Sequence, residues 1–165
     1  MVKGMGYGIL SATGDNSGTM DTPADNIRPR SAATAAFARL ARSNFRARFH
    51  LAEEDLRYIA EKGLDTIRRH AADFVRTRLA PAQPPNDGRQ TPMRGHPVFK
   101  AQHATATCCR SCLEKWWKVP RGTDIPPARQ ARIVDFLMAW IEREIKKNEK
   151  KETPDEKKVK PAPAH

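Results

Sequence analysis

The stretch from His96 to Trp117, HPVFKAQHATATCCRSCLEKWW, decides how this chain is read. It holds two of the five histidines, all three cysteines and two of the three tryptophans in a sequence of 165 residues. Pro97 directly after His96 marks a helix start, since proline is well tolerated in a first turn and His96 then sits near the cap. Taken as one continuous helix, at about 100° per residue, the stretch is two-faced. His96, His103 and Arg110 fall on one polar stripe with Glu114. Val98, Cys109, Cys112, Leu113 and Trp116 fall on the opposite side, with Cys108 at its edge.

The same periodicity organises the chain on either side. Ala33 to Arg48 reads as a first helix, with Phe37, Leu40, Phe45 and Phe49 near helical spacing. Arg39, Arg42, Arg46 and Arg48 make a basic strip along it. A second helical pattern begins at Leu51, carries Glu53, Glu54 and Asp55 in its first turn and stops at Gly63, where a C′ glycine belongs. A third follows at once, lined by Ile67, Ala71, Phe74 and Val75 and stopped by Pro81, with His70 at the border of its apolar face. Residues 81–96, PAQPPNDGRQTPMRGH, then form a long loop. Its prolines limit the entropy of holding one shape and Asn86-Asp87-Gly88 is a turn signal, so an ordered loop presenting polar groups is expected.

Beyond the central helix, Asp124 stands where it would help cap a last helix starting near Pro126-Pro127. Ile133, Phe136, Leu137, Trp140, Ile141 and Ile145 give that helix a clear apolar stripe. No segment alternates like a strand. The sequence therefore predicts an all-α fold, a compact single domain of about five helices over residues 34–146, with a long ordered loop before the central helix. Residues 1–33 are rich in Gly, Ser, Thr, Asp and Pro and read as a disordered extension, and residues 147–165 as a disordered charged tail.

Composition limits the function classes. A mean hydropathy of -0.71 and 30% charged residues describe a soluble protein, and no apolar run approaches the roughly 18 residues a membrane-spanning helix needs. MVKGMGYGIL at the start is too glycine-rich for a secretory signal, and a cytoplasmic location is expected. Three cysteines within five positions cannot build a disulfide framework, so they read as reduced thiols or metal ligands. The net charge of +11 lies mostly between residues 34 and 123 and not in a tail. A nucleic acid or another phosphate-bearing partner would account for it.

Two chemistries and a structural role compete for the central stretch. On the polar stripe, His96, His103 and Arg110, joined by Arg89 and Arg94 from the loop, would converge on an anion, because the planar fork of arginine matches phosphate oxygens. On the thiol side, Cys108 and Cys112 are four apart and offer two ligands from one helix face. Zinc would need two more, from His70 or, if the helix breaks, from His103, and such a site would suit a metal-assisted hydrolase or nuclease. The third reading is a structural or protein-interaction domain whose thiols are simply packed. Whether the protein is an enzyme stays open at this level.

The runs RLAPAQPPNDGRQTPMRGHPVF and AQHATATCCRSCLEKW closely resemble small, mostly bacterial proteins of domain-of-unknown-function family 4186. YIAEKGLDTIRRHAADFVRTRLAP and MAWIERE fit as well, so the resemblance spans roughly Phe37 to Glu144. It implies no activity. One departure bears on metal binding: members of the family usually read Lys-Trp-His where this chain has Lys115-Trp116-Trp117. If that histidine ligates a metal in relatives, this chain lacks the ligand.

Overall fold

The computed structural model describes residues 30–152, which are helical with no strand. Seven α-helices follow one another among the described residues: α1 (Arg30–Ala41), α2 (Asn44–Ala47), α3 (Glu53–Lys62), α4 (Leu64–Phe74), α5 (Pro97–Ala104), α6 (Arg110–Trp117) and α7 (Pro127–Glu152). A π-helical turn, Val75–Leu79, prolongs α4. None is long and apolar enough to cross a membrane.

The apolar stripe of α7 is the spine. Ile133, Leu137 and Ile141 are fully buried, and α7 packs against α1, α4 and α5. Phe136 stacks on Phe37 of α1 with centroids 4.9 Å apart and meets Trp117 of α6 edge-on at 5.1 Å, which ties three helices to one aromatic ring. Gly63 separates α3 from α4 at φ +79°, a backbone region that L side chains rarely adopt. At the head of α3, Asp55 accepts the Ala52 N–H at 2.8 Å.

Two expectations about the elements are corrected. The first helix is interrupted at Arg42–Ser43, and α2 is a separate single turn. Helix runs past residues 34–146 at both ends: residues 30–33 are already helical, and α7 continues past Lys146 to Glu152. The rest of the segments read as disordered, 1–29 and 153–165, lies outside the described residues. Asp124 does not cap α7; its Oδ1 accepts the Ala82 N–H at 2.6 Å and joins the start of the long loop to the segment between α6 and α7.

The main correction concerns the central helix, which is two helices. α5 ends at Thr105 with Ala106 at φ 60° and the Thr107 N–H bonded to the Gln102 carbonyl at 2.9 Å. That is a Schellman ending with alanine where glycine is usual. The threonine side chains explain why the chain stops here. Thr105 Oγ1 bonds back to the Ala101 carbonyl at 2.8 Å and lies 3.0 Å from Thr107 Oγ1, the kind of local bonding that competes with helix continuation. Gln102 Nε2 donates to the Thr107 carbonyl at 3.2 Å and Trp117 Nε1 to the Thr105 carbonyl at 2.9 Å. Every residue from Ala101 to Arg110 is buried, so these side-chain bonds replace the missing helical ones in satisfying the backbone.

Candidate metal centre

Breaking the helix brings all three thiols together. Cys109 becomes the N-cap of α6 and Cys112 its third residue, while Cys108 lies just upstream. Their three Sγ atoms lie within 4.8 Å of one another, the one such gathering of three or more metal-capable groups among the described residues. Cys108 Sγ is 3.5 Å from Cys112 Sγ. A tetrahedral ion with Zn–S bonds of about 2.3 Å spaces its sulfurs about 3.8 Å apart, so the trio is sized for a single ion. Cys109 was missing from the ligand set expected from sequence. On a continuous helix it points away from Cys108, and only the break at Thr105–Cys109 makes it a neighbour.

A cation already stands beside the thiols. Arg46 of α2 is 7% exposed; its Nη2 donates to Cys112 Sγ at 3.3 Å and its Nη1 to the His103 carbonyl at 2.6 Å. The thiols share hydrogen bonds, and the negative charge settles on Cys112. Bonds from Cys108 and Cys109, followed by the Arg46 guanidinium, hold it well below the usual thiol range. Bonding to Cys109 and Cys112, with burial, pushes Cys108 far above that range. For Cys109 the bond to Cys108 acts downward, but the bond to Cys112 and burial outweigh it, and the group is raised. One thiolate among two thiols is the expected resting state of an unmetallated trio, since metal binding must displace the remaining protons.

The long loop is ordered and holds the centre in place. Asp87 Oδ1 accepts the Arg110 N–H at 3.0 Å at the start of α6, Thr91 Oγ1 donates to the Cys108 carbonyl at 2.8 Å, and Gln90 Nε2 donates to Asp87 Oδ1 at 3.1 Å. Of its polar groups, Thr91 and Asp87 thus serve the interior, while Arg89 and Arg94 are exposed.

The expected anion stripe is not assembled. Arg110 is 1% exposed and is wrapped in backbone carbonyls. Its Nη1 bonds to Pro81 at 2.8 Å, with Ala80 and Leu79 farther away at 3.3 and 3.4 Å. Its Nη2 bonds to Pro120 and Thr123, both at 2.7 Å. Burial lowers its pKa, opposed by Asp87, Asp124 and Glu114. It staples the end of the π turn to the segment after α6 and has no terminal nitrogen left for a ligand.

The histidines part company too. His96 caps α5 by accepting the Val98 N–H on Nδ1 at 3.1 Å, so its proton is on Nε2, which faces His70 Nδ1 at 3.0 Å. Phe74 and Tyr58 stand edge-on to the His96 ring at 5.2 and 5.4 Å. Burial, with His70 adding to it, lowers the His96 pKa to about 4. His70 is therefore committed to His96 and is not one of the groups gathered with the thiols. His103 stacks on Phe49 at 5.2 Å, with Nε2 3.2 Å from the Thr91 and Pro92 carbonyls. Those acceptors fix the proton on Nε2 and leave Nδ1 as a lone pair, buried and without a donor. Burial lowers this histidine's pKa, opposed by the Thr91 and Pro92 bonds.

The sequence model of a family described as a domain of unknown function (DUF4186) matches residues 34–142. No solved structure matches the chain.

Proposed function

Because the chain belongs to domain-of-unknown-function family 4186, whose name carries no activity, its chemistry must be argued from its own residues, and we propose that it binds a thiophilic metal ion of the zinc class through Cys108, Cys109 and Cys112. One observation carries the reading: three sulfurs within 4.8 Å of one another, held by buried backbone at the spacing a tetrahedral ion requires. Arg46 supports it. A guanidinium N–H directed at a coordinating sulfur offsets the negative charge of three thiolates around a dication, as outer-shell donors do at metal sites.

Three protein ligands leave a fourth tetrahedral position. Among the described residues no histidine, carboxylate or further thiol is gathered with the three sulfurs to fill it, and His103, whose Nδ1 lacks a donor, stands outside that group although the helix breaks. Where water holds that position, the centre has the ligand count of hydrolytic zinc.

The test is elemental analysis of protein purified without chelator, followed by Co²⁺ titration. About one ion per chain and an intense sulfur-to-cobalt charge-transfer band are expected for a thiolate site. Less than about a tenth of an equivalent on isolation, together with no such band on adding Co²⁺ or Cd²⁺, would overturn the proposal.

A further inference from the structure

Beside the thiol centre, a surface interleaves aromatic rings with arginines. Buried beneath it, Arg46, whose terminal nitrogens are committed to His103 and Cys112, lies against the Trp116 ring at 5.0 Å and near Phe45 at 5.8 Å. Arg48 lies over Phe45 at 4.6 Å and reaches Phe49 at 5.7 Å. The two phenylalanines meet edge-on at 5.3 Å. The line continues into a groove of about 620 Å³ bordered by Arg48, Phe49, Met93, Arg94 and Lys100, with Glu54 as the acidic residue on its wall. At the other end, Arg39 donates to the Trp116 carbonyl at 3.1 Å.

Two properties coincide on this surface. Phe45 at 41% and Met93 at 44% exposure are two of the three large apolar side chains left open among the described residues. In addition, Arg39, Arg42, Arg48 and Arg94 cluster here without an ion pair among the described residues, as Arg78 and Arg89 do singly elsewhere, whereas Arg68, Arg76 and Arg121 each face a carboxylate. Lys100 is taken by Asp55. Unpaired guanidinium groups alternating with open rings match a chain of phosphates alternating with flat, weakly hydrated bases. Phosphates neutralise the arginine fork and bases stack on the rings whatever their sequence.

We propose that this face is a binding track for single-stranded nucleic acid. Base-paired nucleic acid offers phosphates but keeps its base faces covered, so it would leave Phe45 and Met93 without partners. The track uses none of the three thiols and stands independently of the metal proposal.

Fluorescence anisotropy with labelled oligothymidine and oligouridine at low salt tests it, with the matching duplex as competitor. Binding should fall steeply with salt. Phe45→Ala, at an exposed position, should weaken it about fivefold or more, as loss of a stacking ring does. Arg48→Glu with Arg94→Glu should lower the log–log salt slope by about 0.7 for each lost phosphate contact. The control, Arg68→Glu on α4 with Arg76→Glu on the π turn that prolongs it, makes the same change of charge and should stay within about twofold. No oligonucleotide binding at low salt would overturn the proposal. So would duplex competing as well as single strand, or a polyglutamate competing equally while Phe45→Ala has no effect, since charge alone would then account for the binding.

Discussion

Replacing Arg110 by lysine keeps the charge and removes the fork, so it measures what the carbonyl cage contributes. Nη2 serves Pro120 and Thr123 at 2.7 Å each, while Nη1 serves Pro81 at 2.8 Å. The two nitrogens thus hold two different chain segments. A lysine ammonium is a single nitrogen on a differently shaped stem and reaches one segment at best. At least two charge-assisted bonds are lost, each worth about 1.5–3 kcal/mol, and the deserted carbonyls stay buried. A destabilisation of about 3–5 kcal/mol follows, a large part of the roughly 5–15 kcal/mol that holds a domain of this size together. Urea unfolding followed by tryptophan fluorescence reads this directly, because Trp117 and Trp140 are buried. In thermal melts the midpoint should drop by about 10–20 °C. A drop of less than about 3 °C would show that the cage is not what stabilises the region. An effect confined to polyanion binding, with stability unchanged, would restore Arg110 to the anion surface that the sequence suggested.

Other outcomes follow from the same geometry. The His96 pKa of about 4, against about 6.5 in an unfolded chain, means that the unfolded state takes up the proton first. Stability should be complete above pH 6.5, fall by about 3 kcal/mol as pH drops towards 4, and level off below. His96→Asn keeps a capping side chain and should remove that share of the slope in urea titrations at several pH values. Cys112→Ser should abolish the cobalt–thiolate band while leaving the helical circular dichroism near wild type, because Cys112 is only half-buried. Trp117→His, the residue that the family resemblance leads one to expect there, should leave the Co²⁺ spectrum unchanged, because the indole bonds to the Thr105 carbonyl and touches Phe136 and Arg39. A shifted spectrum would make position 117 a ligand site in its relatives.

Much of the frame was legible in the sequence because it rests on local signals. Gly63 as a breaker, Pro97 as a helix start and the stripe from Ile133 to Ile141 each act within a turn or two. The site was harder to read. Ala106 carries no mark of the left-handed conformation it adopts, and without a glycine the run AQHATATCCR passes for continuous helix. The signal was in Thr105 and Thr107, which bond readily to nearby backbone and flank an alanine in a run with no strong reason to be helical. Nothing local distinguishes Arg46 and Arg110, which are buried, from Arg48 and Arg94, which are exposed. Their difference arises from which carbonyls and sulfurs the fold delivers to them.

The way this segment is satisfied also bears on what a metal would do here. In small zinc domains the unfolded chain has no site, and binding free energy appears as folding free energy. Here the backbone around the thiols is already supplied with partners. Thr91 holds the Cys108 carbonyl, Asp87 holds the first amide of α6 and Arg46 holds both His103 and Cys112. The sulfurs lie at the edge of the core packed on α7, with Cys112 against it. Metal binding then meets a preformed site, and its free energy appears as affinity and added stability by mass action. Removing the metal with a chelator should therefore leave the helical dichroism intact and lower the melting temperature only in proportion to the ligand lost. A cooperative collapse of the helices on chelation would contradict this, and would place the thiol centre among the elements that build the fold.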